Sequence, residues 1–171
     1  MEEHVVLVNT LDQNEGTMEK MEAHRVGRLH RAFSVFILNS RGELLLQQRA
    51  HHKYHSGGLW TNTCCSHPRE GEDTIEAGQR RLTEEMGMQC QLEKGFDFIY
   101  RSELDAGLVE HEFDHVLFGM SDVKPTPNPD EVAGYRYVSF ADLRLEMSAN
   151  PNGFTTWFRI CFERAADHLK K

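Results

Sequence analysis

No apolar run in this chain approaches the roughly 18 residues that a membrane-spanning helix needs. The opening residues, Met1-Glu2-Glu3-His4, are acidic and carry no apolar stretch, so no secretory signal is expected. A basic excess is also missing: 19 Lys and Arg stand against 27 Asp and Glu, a formal net charge of −8. That argues against sequence-independent binding to nucleic acid, which needs a basic face. A small anionic ligand stays open, because a few converging cations suffice for it. Cysteine is scarce. Cys64, Cys65, Cys90 and Cys161 do not make a secreted disulfide framework, and a vicinal pair is a poor disulfide. A cytoplasmic location follows as the expectation. Internal repeats and low-complexity segments are absent too.

What remains is 171 residues of ordinary globular composition, 39% hydrophobic and 27% charged. That length fits a single domain, 1–171, with a substantial core. The hydropathy pattern predicts strands at 4–9, 31–38, 43–49, 59–67, 96–101, 110–120 and 131–139. Asn39-Ser-Arg-Gly42 reads as a hairpin turn between the second and third of these. Residues 12–16 read as a turn cluster, with Thr17 capping a short helical turn. A helix is predicted over 73–86, with Asp73 or Thr74 as N-cap and Gly87 just beyond its end. Shorter and longer helices follow at 140–147 and 154–169, the last with Trp157, Ile160 and Cys161 on one side. Strands with one helix among them and helices at the end define an α+β layered domain.

Chemistry concentrates in Thr61-Asn62-Thr63-Cys64-Cys65-Ser66-His67-Pro68 and the helix after it. Strand alternation puts Cys65 and His67 on one face, with Cys64 and Ser66 on the other. In the helix, Ile75, Gly78, Leu82 and Met86 form an apolar stripe. Glu85 borders it and Glu84 lies opposite, so Glu85 is the carboxylate aimed inward. Alternation over 110–120 puts Glu110, Glu112 and Asp114 on one face. Taken singly, Cys65 reads as a core hydrophobe, and each of His24, His30 and His67 as a hydrogen-bonded or surface histidine. Glu85 with Arg81 reads as an exposed helical ion pair. Taken together, three imidazoles and two carboxylates are a donor set for zinc, manganese or magnesium. A non-enzymatic metal-binding module is one way to use them.

The helix resembles a degenerate Nudix box through Glu72, Arg80, Leu82, Glu84, Glu85 and Gly87. Ser66 stands where the box has its first glycine, and Arg81 where Nudix hydrolases carry a metal-binding glutamate. The remainder, from about residue 4 to about 165, resembles the type I isopentenyl diphosphate isomerases. The resemblance rests on 61–68, Arg28-Leu-His-Arg-Ala-Phe-Ser34 and Glu110-His-Glu112. It implies a Nudix-like α/β/α sandwich with a mixed sheet. It also implies reversible conversion of isopentenyl to dimethylallyl diphosphate by a [1,3] proton shift through a carbocation-like intermediate. By that resemblance Cys65, Glu112 and Tyr100 are catalytic. His24, His30, His67, Glu110 and Glu112 bind one divalent metal (Mn²⁺, Zn²⁺ or Mg²⁺). Glu85 helps to hold a Mg²⁺ that also contacts the substrate diphosphate. Lys20, Arg49, Lys53, Arg81 and Trp157 bind the substrate, an isoprenoid diphosphate. No nucleic acid or membrane partner is implied, and the oligomeric state stays open. A Nudix-type diphosphate hydrolase is the alternative, weakened by the cation at Arg81.

Overall fold

A computed structural model describes residues 2–171. Its centre is β3 (His30–Leu38), whose run of branched and aromatic residues is buried on both faces. Phe33, Val35 and Ile37 point to one side and Phe36 and Leu38 to the other, the period-2 alternation of a strand between two layers. Around it lie β1 (His4–Val8), β2 (Asn14–Glu19), β4 (Leu44–Arg49), β5 (Trp60–Thr61), β6 (Cys64–Ser66), β7 (Glu93–Glu103), β8 (Val109–Met120) and β9 (Val132–Val138). These make one mixed sheet. β8 runs parallel to β3, while β1, β4 and β6 pair with β3 antiparallel.

One face of the sheet is covered by α2 (Thr74–Met86) through Ala77, Leu82 and Met86. The other is covered by α4 (Thr156–Leu169) through Trp157, Phe158, Cys161 and Phe162. The result is the expected α/β/α layering. The cap and stop of α2 are as the sequence implies. Asp73 accepts from the amides of Ile75 and Glu76, and Gly87 takes a left-handed φ of 61°. A Cβ on Gly87 would lie 2.4 Å from the carbonyl oxygen of Thr126, so close approach as well as φ requires glycine. Loop 124–130 packs there, its Thr126 and Asn128 amides donating to the carbonyls of Met86 and Glu85. These are helix-end carbonyls that otherwise lack partners. Two further helices are α1 (Lys20–Val26) and α3 (Phe140–Ala149). No helix of the described residues is long and apolar enough to cross a membrane.

Four expectations are corrected. Residues 14–19 form β2 against β1, where a turn and a Thr17-capped helical turn were expected. The helix starts at Lys20, capped by the Glu19 carboxylate. The hairpin of β3 and β4 keeps one paired position, Leu38 with Leu44. Beyond it the strands diverge, and residues 60–66 wedge between them. This wedge is two short strands bent at Asn62-Thr63 and not the single strand expected over 59–67. The bend replaces ladder bonds with side chains. Asn62 Nδ2 donates to Val35 O, and Thr63 Oγ1 accepts from the Ile37 amide and donates to Leu45 O. Finally, Ile160 is 48% exposed, off the buried side of α4 that holds Trp157 and Cys161.

Candidate active site and metal centre

The wedge delivers Cys65 to one end of the sheet. Its pairing opposite Ser34 on β3 fixes its height, and Pro68 follows the strand end. Cys64 turns into the core under α2, fully buried. Cys65 turns the other way, towards α4. The thiol donates to Asn62 Oδ1 at 3.1 Å and receives the indole N–H of Trp157 at 3.1 Å. Asn62 cannot flip, because its amide nitrogen already serves Val35 O and Cys64 O. Ser34 Oγ lies 3.5 Å from the sulfur, its own proton given to Asp114 Oδ2 at 2.7 Å. Burial and the nearby Asp114 carboxyl push the Cys65 thiol up, so it is held protonated at neutral pH.

The register of three strands places Tyr100, Glu112 and His30 in one row. Tyr100 donates to Glu112 Oε2 at 2.8 Å. His67 Nε2 sits 3.1 Å and His30 Nε2 3.5 Å from Glu112 Oε1. Burial raises the Glu112 carboxyl, but the His30 and His67 imidazoles beside it outweigh that and hold the group well below the usual range. Glu110, buried beside that charge, is pushed well up. Burial lowers His24, and takes His67 down to about 4, so both imidazoles are neutral at pH 7.

Ligating atoms of His24, His30, His67 and Glu112 all lie within 4.8 Å of one another. Lys20 O and Arg28 O sit 2.7 and 2.8 Å from Nδ1 of His24 and His30, accepting the ring N–H and turning each Nε2 inward as an acceptor. Both of those Nε2 atoms, and Glu110 Oε2, are buried without a hydrogen-bond partner. Unpaired lone pairs converging in a buried place are costly unless something positive fills it. A divalent cation fits that donor set. Glu110 enters through a second group, with His24 and His55.

Sequence reasoning did not single out His55. It lies in an irregular loop, 50–58, where no periodicity assigns a facing. The cluster His51, His52, His55 was the only signal. Asn62 and Ser34 were likewise passed over as strand residues, although they hold the thiol.

A cleft of about 490 Å³, mouth included, opens over these groups. Cys65, His67, Glu110, Glu112, Glu85, Trp157 and the cations Lys20, Arg49, Lys53 and Arg81 all line it. Ser66 lines it too, although alternation placed it on the far face. Each cation is prepaired. Lys20 meets Glu3 at 2.9 Å, Lys53 meets Glu131, and Arg81 meets Glu85 at 2.6 Å and Glu84 at 2.7 Å. Arg49 lies over the Trp157 ring, 5.3 Å from its centroid. Glu85 is buried and Glu84 exposed, as the helix phase implied. The Arg81–Glu85 pair is therefore half-buried rather than the exposed helical ion pair that the spacing alone suggests. Glu85 also accepts from Gln47 at 2.9 Å and belongs to neither imidazole group. The box residues Glu72 and Arg80 pair at 2.7 Å and brace the start of α2.

The fold and this arrangement of carboxylates and cations around α2 define a NUDIX-domain protein, and the NUDIX domain family model matches residues 28–158. A crystal structure from Deinococcus radiodurans superposes with a TM-score of 0.80 at 22% identity, covering 95% of this chain and 98% of that one. A MutT protein from Methanosarcina mazei gives 0.69 at 21%, covering 84% and 96%. At that identity these likenesses speak for the fold. An isopentenyl-diphosphate Delta-isomerase from Pectobacterium atrosepticum is 55% identical over 96% of this chain and 92% of its own length. One from Aliivibrio fischeri is 46% identical over 100% and 99%. The chain belongs to the isopentenyl-diphosphate Delta-isomerase family of NUDIX-domain proteins.

Proposed function

We propose that this protein interconverts isopentenyl diphosphate and dimethylallyl diphosphate. One observation supports it above the rest: the Cys65 thiol and the Glu112 carboxylate line one cleft together with four cations. Moving the double bond needs one proton delivered to the terminal alkene carbon and one taken from C2, with no net gain or loss. A site resting with one group protonated and the other not has the donor and the acceptor already in place. Cys65 and Glu112 are those two groups, and they exchange roles in the reverse direction. Tyr100 holds Glu112 through its hydroxyl and relays the proton.

A tertiary carbocation between the two steps would be captured by water, so the buried floor of the cleft excludes solvent. The Trp157 face adds cation–π stabilisation of up to about 2 kcal/mol, an aid of roughly 30-fold. Lys20, Arg49, Lys53 and Arg81 take the diphosphate, so that binding far from the alkene sets the position of the reacting carbons. His24, His30, His67, Glu110 and Glu112 would hold a divalent metal, whose positive charge would tune the basicity of the Glu112 carboxylate. Glu85 retains free lone pairs on both carboxylate oxygens and would be the residue to hold a Mg²⁺ brought by the diphosphate, since Mg²⁺ commonly binds one carboxylate plus phosphates. The hydrolase alternative is disfavoured by Arg81, which holds phosphate where a hydrolase places a metal-binding acid.

The test follows deuterium uptake from D2O into the two five-carbon diphosphates, with and without chelator. The native enzyme exchanges and isomerises, the chelated one does not, and Cys65→Ala stays folded and inactive. Full isomerisation by Cys65→Ala, or release of phosphate without isomerisation, sinks the reading.

A further inference from the structure

The two groups of ligating atoms share one imidazole. His24 belongs both to the set with His30, His67 and Glu112 and to the set with His55 and Glu110. Its Nδ1 is committed to Lys20 O at 2.7 Å, which leaves a single lone pair, on Nε2. One lone pair serves one cation, so the two sets cannot be two separate sites that both use His24. One ion bound through His24 can therefore use both sets only if they draw together around it in one centre.

We propose that His55 is a ligand in that centre: a fourth imidazole which, with His24, His30, His67, Glu110 and Glu112, brings the protein donors to six. The inference rests on the metal-dependent reading of the site given above. Donors bound at about 2.0–2.2 Å from one ion lie no more than about 4.4 Å apart. His55 Nε2 stands 4.0 Å from Glu110 Oε1, inside that limit and too far for a hydrogen bond. The Nδ1 of His55 faces Ser56 Oγ at 3.1 Å, so its N–H has an acceptor and Nε2 keeps its lone pair on the metal side.

The surroundings hold the ring there. Arg49 Nη2 donates to the His55 carbonyl at 3.2 Å. Ser56, a non-glycine, sits at a φ of 53° with its amide donating to Asp105 Oδ2 at 3.2 Å. Such a backbone conformation costs about 1 kcal/mol or more and persists only where neighbours impose it. Trp157 packs edge-on against the His55 ring, centroids 5.7 Å apart. His51 and His52, in the same loop, are exposed, whereas His55 is 3% exposed.

Six donors with four nitrogens suit a borderline six-coordinate ion such as Mn²⁺ or Co²⁺. They suit Mg²⁺ less, since it prefers oxygen and keeps several waters, and they exceed the four positions of tetrahedral zinc. Because His55 and Lys53 share one loop, the ion would also set the position of a diphosphate-binding cation.

The test needs no substrate. Protein loaded with Co²⁺ alone is titrated for stoichiometry, and its paramagnetically shifted, exchangeable imidazole N–H signals are counted by NMR. One ion per chain and four such signals are expected. His55→Ala should lose one signal and bind Co²⁺ at least 10-fold more weakly, while His52→Ala matches the native protein. Three signals in the unmodified protein, two ions per chain, or unchanged affinity in His55→Ala would overturn the proposal. The count on the unmodified protein stands whether or not the variant folds. Four signals in a protein that fails to isomerise would remove the activity and leave the ligand assignment intact.

Discussion

Cys65 shows how much of a site one residue's neighbours decide. Its sulfur faces two acceptor oxygens, the Asn62 amide oxygen and the Ser34 hydroxyl whose proton goes to Asp114, and one N–H donor, Trp157. Such a cradle favours S–H over thiolate. Removing the Asn62 amide leaves Val35 O and Cys64 O short of a donor in the core. Asn62→Ala should therefore lose about 2–3 kcal/mol of stability, read from urea midpoints, besides activity. His67 gives the acid behaviour. Its folded-state value is about 4 against an ordinary 6.5, lowered chiefly by burial. Between those values the unfolded chain binds the extra proton, so stability is present above pH 6.5 and is lost as pH falls from 6.5 to 4. The metal-free protein should lose up to about 3 kcal/mol across that window. Thermal melts at stepped pH check this, and His67→Gln should flatten the slope.

At the level of elements, α2 was legible in advance because its signals agree. Its cap, its apolar stripe and its terminal glycine all lie within one stretch of sequence. The same is true of β8, where alternation put Glu110, Glu112 and Asp114 on one side. Gly87→Ala sets a Cβ against Thr126 O and into a left-handed φ. It should cost about 2 kcal/mol or more, measured by denaturant unfolding. What escaped the sequence is what depends on contacts distant along the chain. β2 is polar apart from Gly16 and Met18, and pairing with β1 makes it a strand. The break at Asn62-Thr63 is dictated by β3 and β4 diverging on either side, which no local pattern carries. His55 is placed by Arg49, Asp105 and Trp157, none of them its sequence neighbours in a periodic element.

Across the whole molecule, the candidate donors His24, His30, His67 and Glu112 come from α1, β3, the end of β6 and β8, so an ion bound there would tie together distant parts of the chain. A ligand that binds only the folded state stabilises it by RT ln(1 + [L]/Kd), about 2.7 kcal/mol at 100 Kd. Added Mn²⁺ should raise the melting temperature by several degrees and EDTA should reverse it. No change in either direction would argue that the donors do not act as one centre.

The parallel pairing of β3 with β8 carries a last consequence. His30 and Glu112 stand opposite each other in that register although 82 residues separate them. Contacts of such long range are late and slow to form, because loop closure comes before any reward. Uptake of the ion should then trail collapse and helix formation during refolding and appear with the slowest phase. On the proposed ligand set, loading would become a clock for completion, because a nascent chain still short of residue 112 would lack a donor the ion needs.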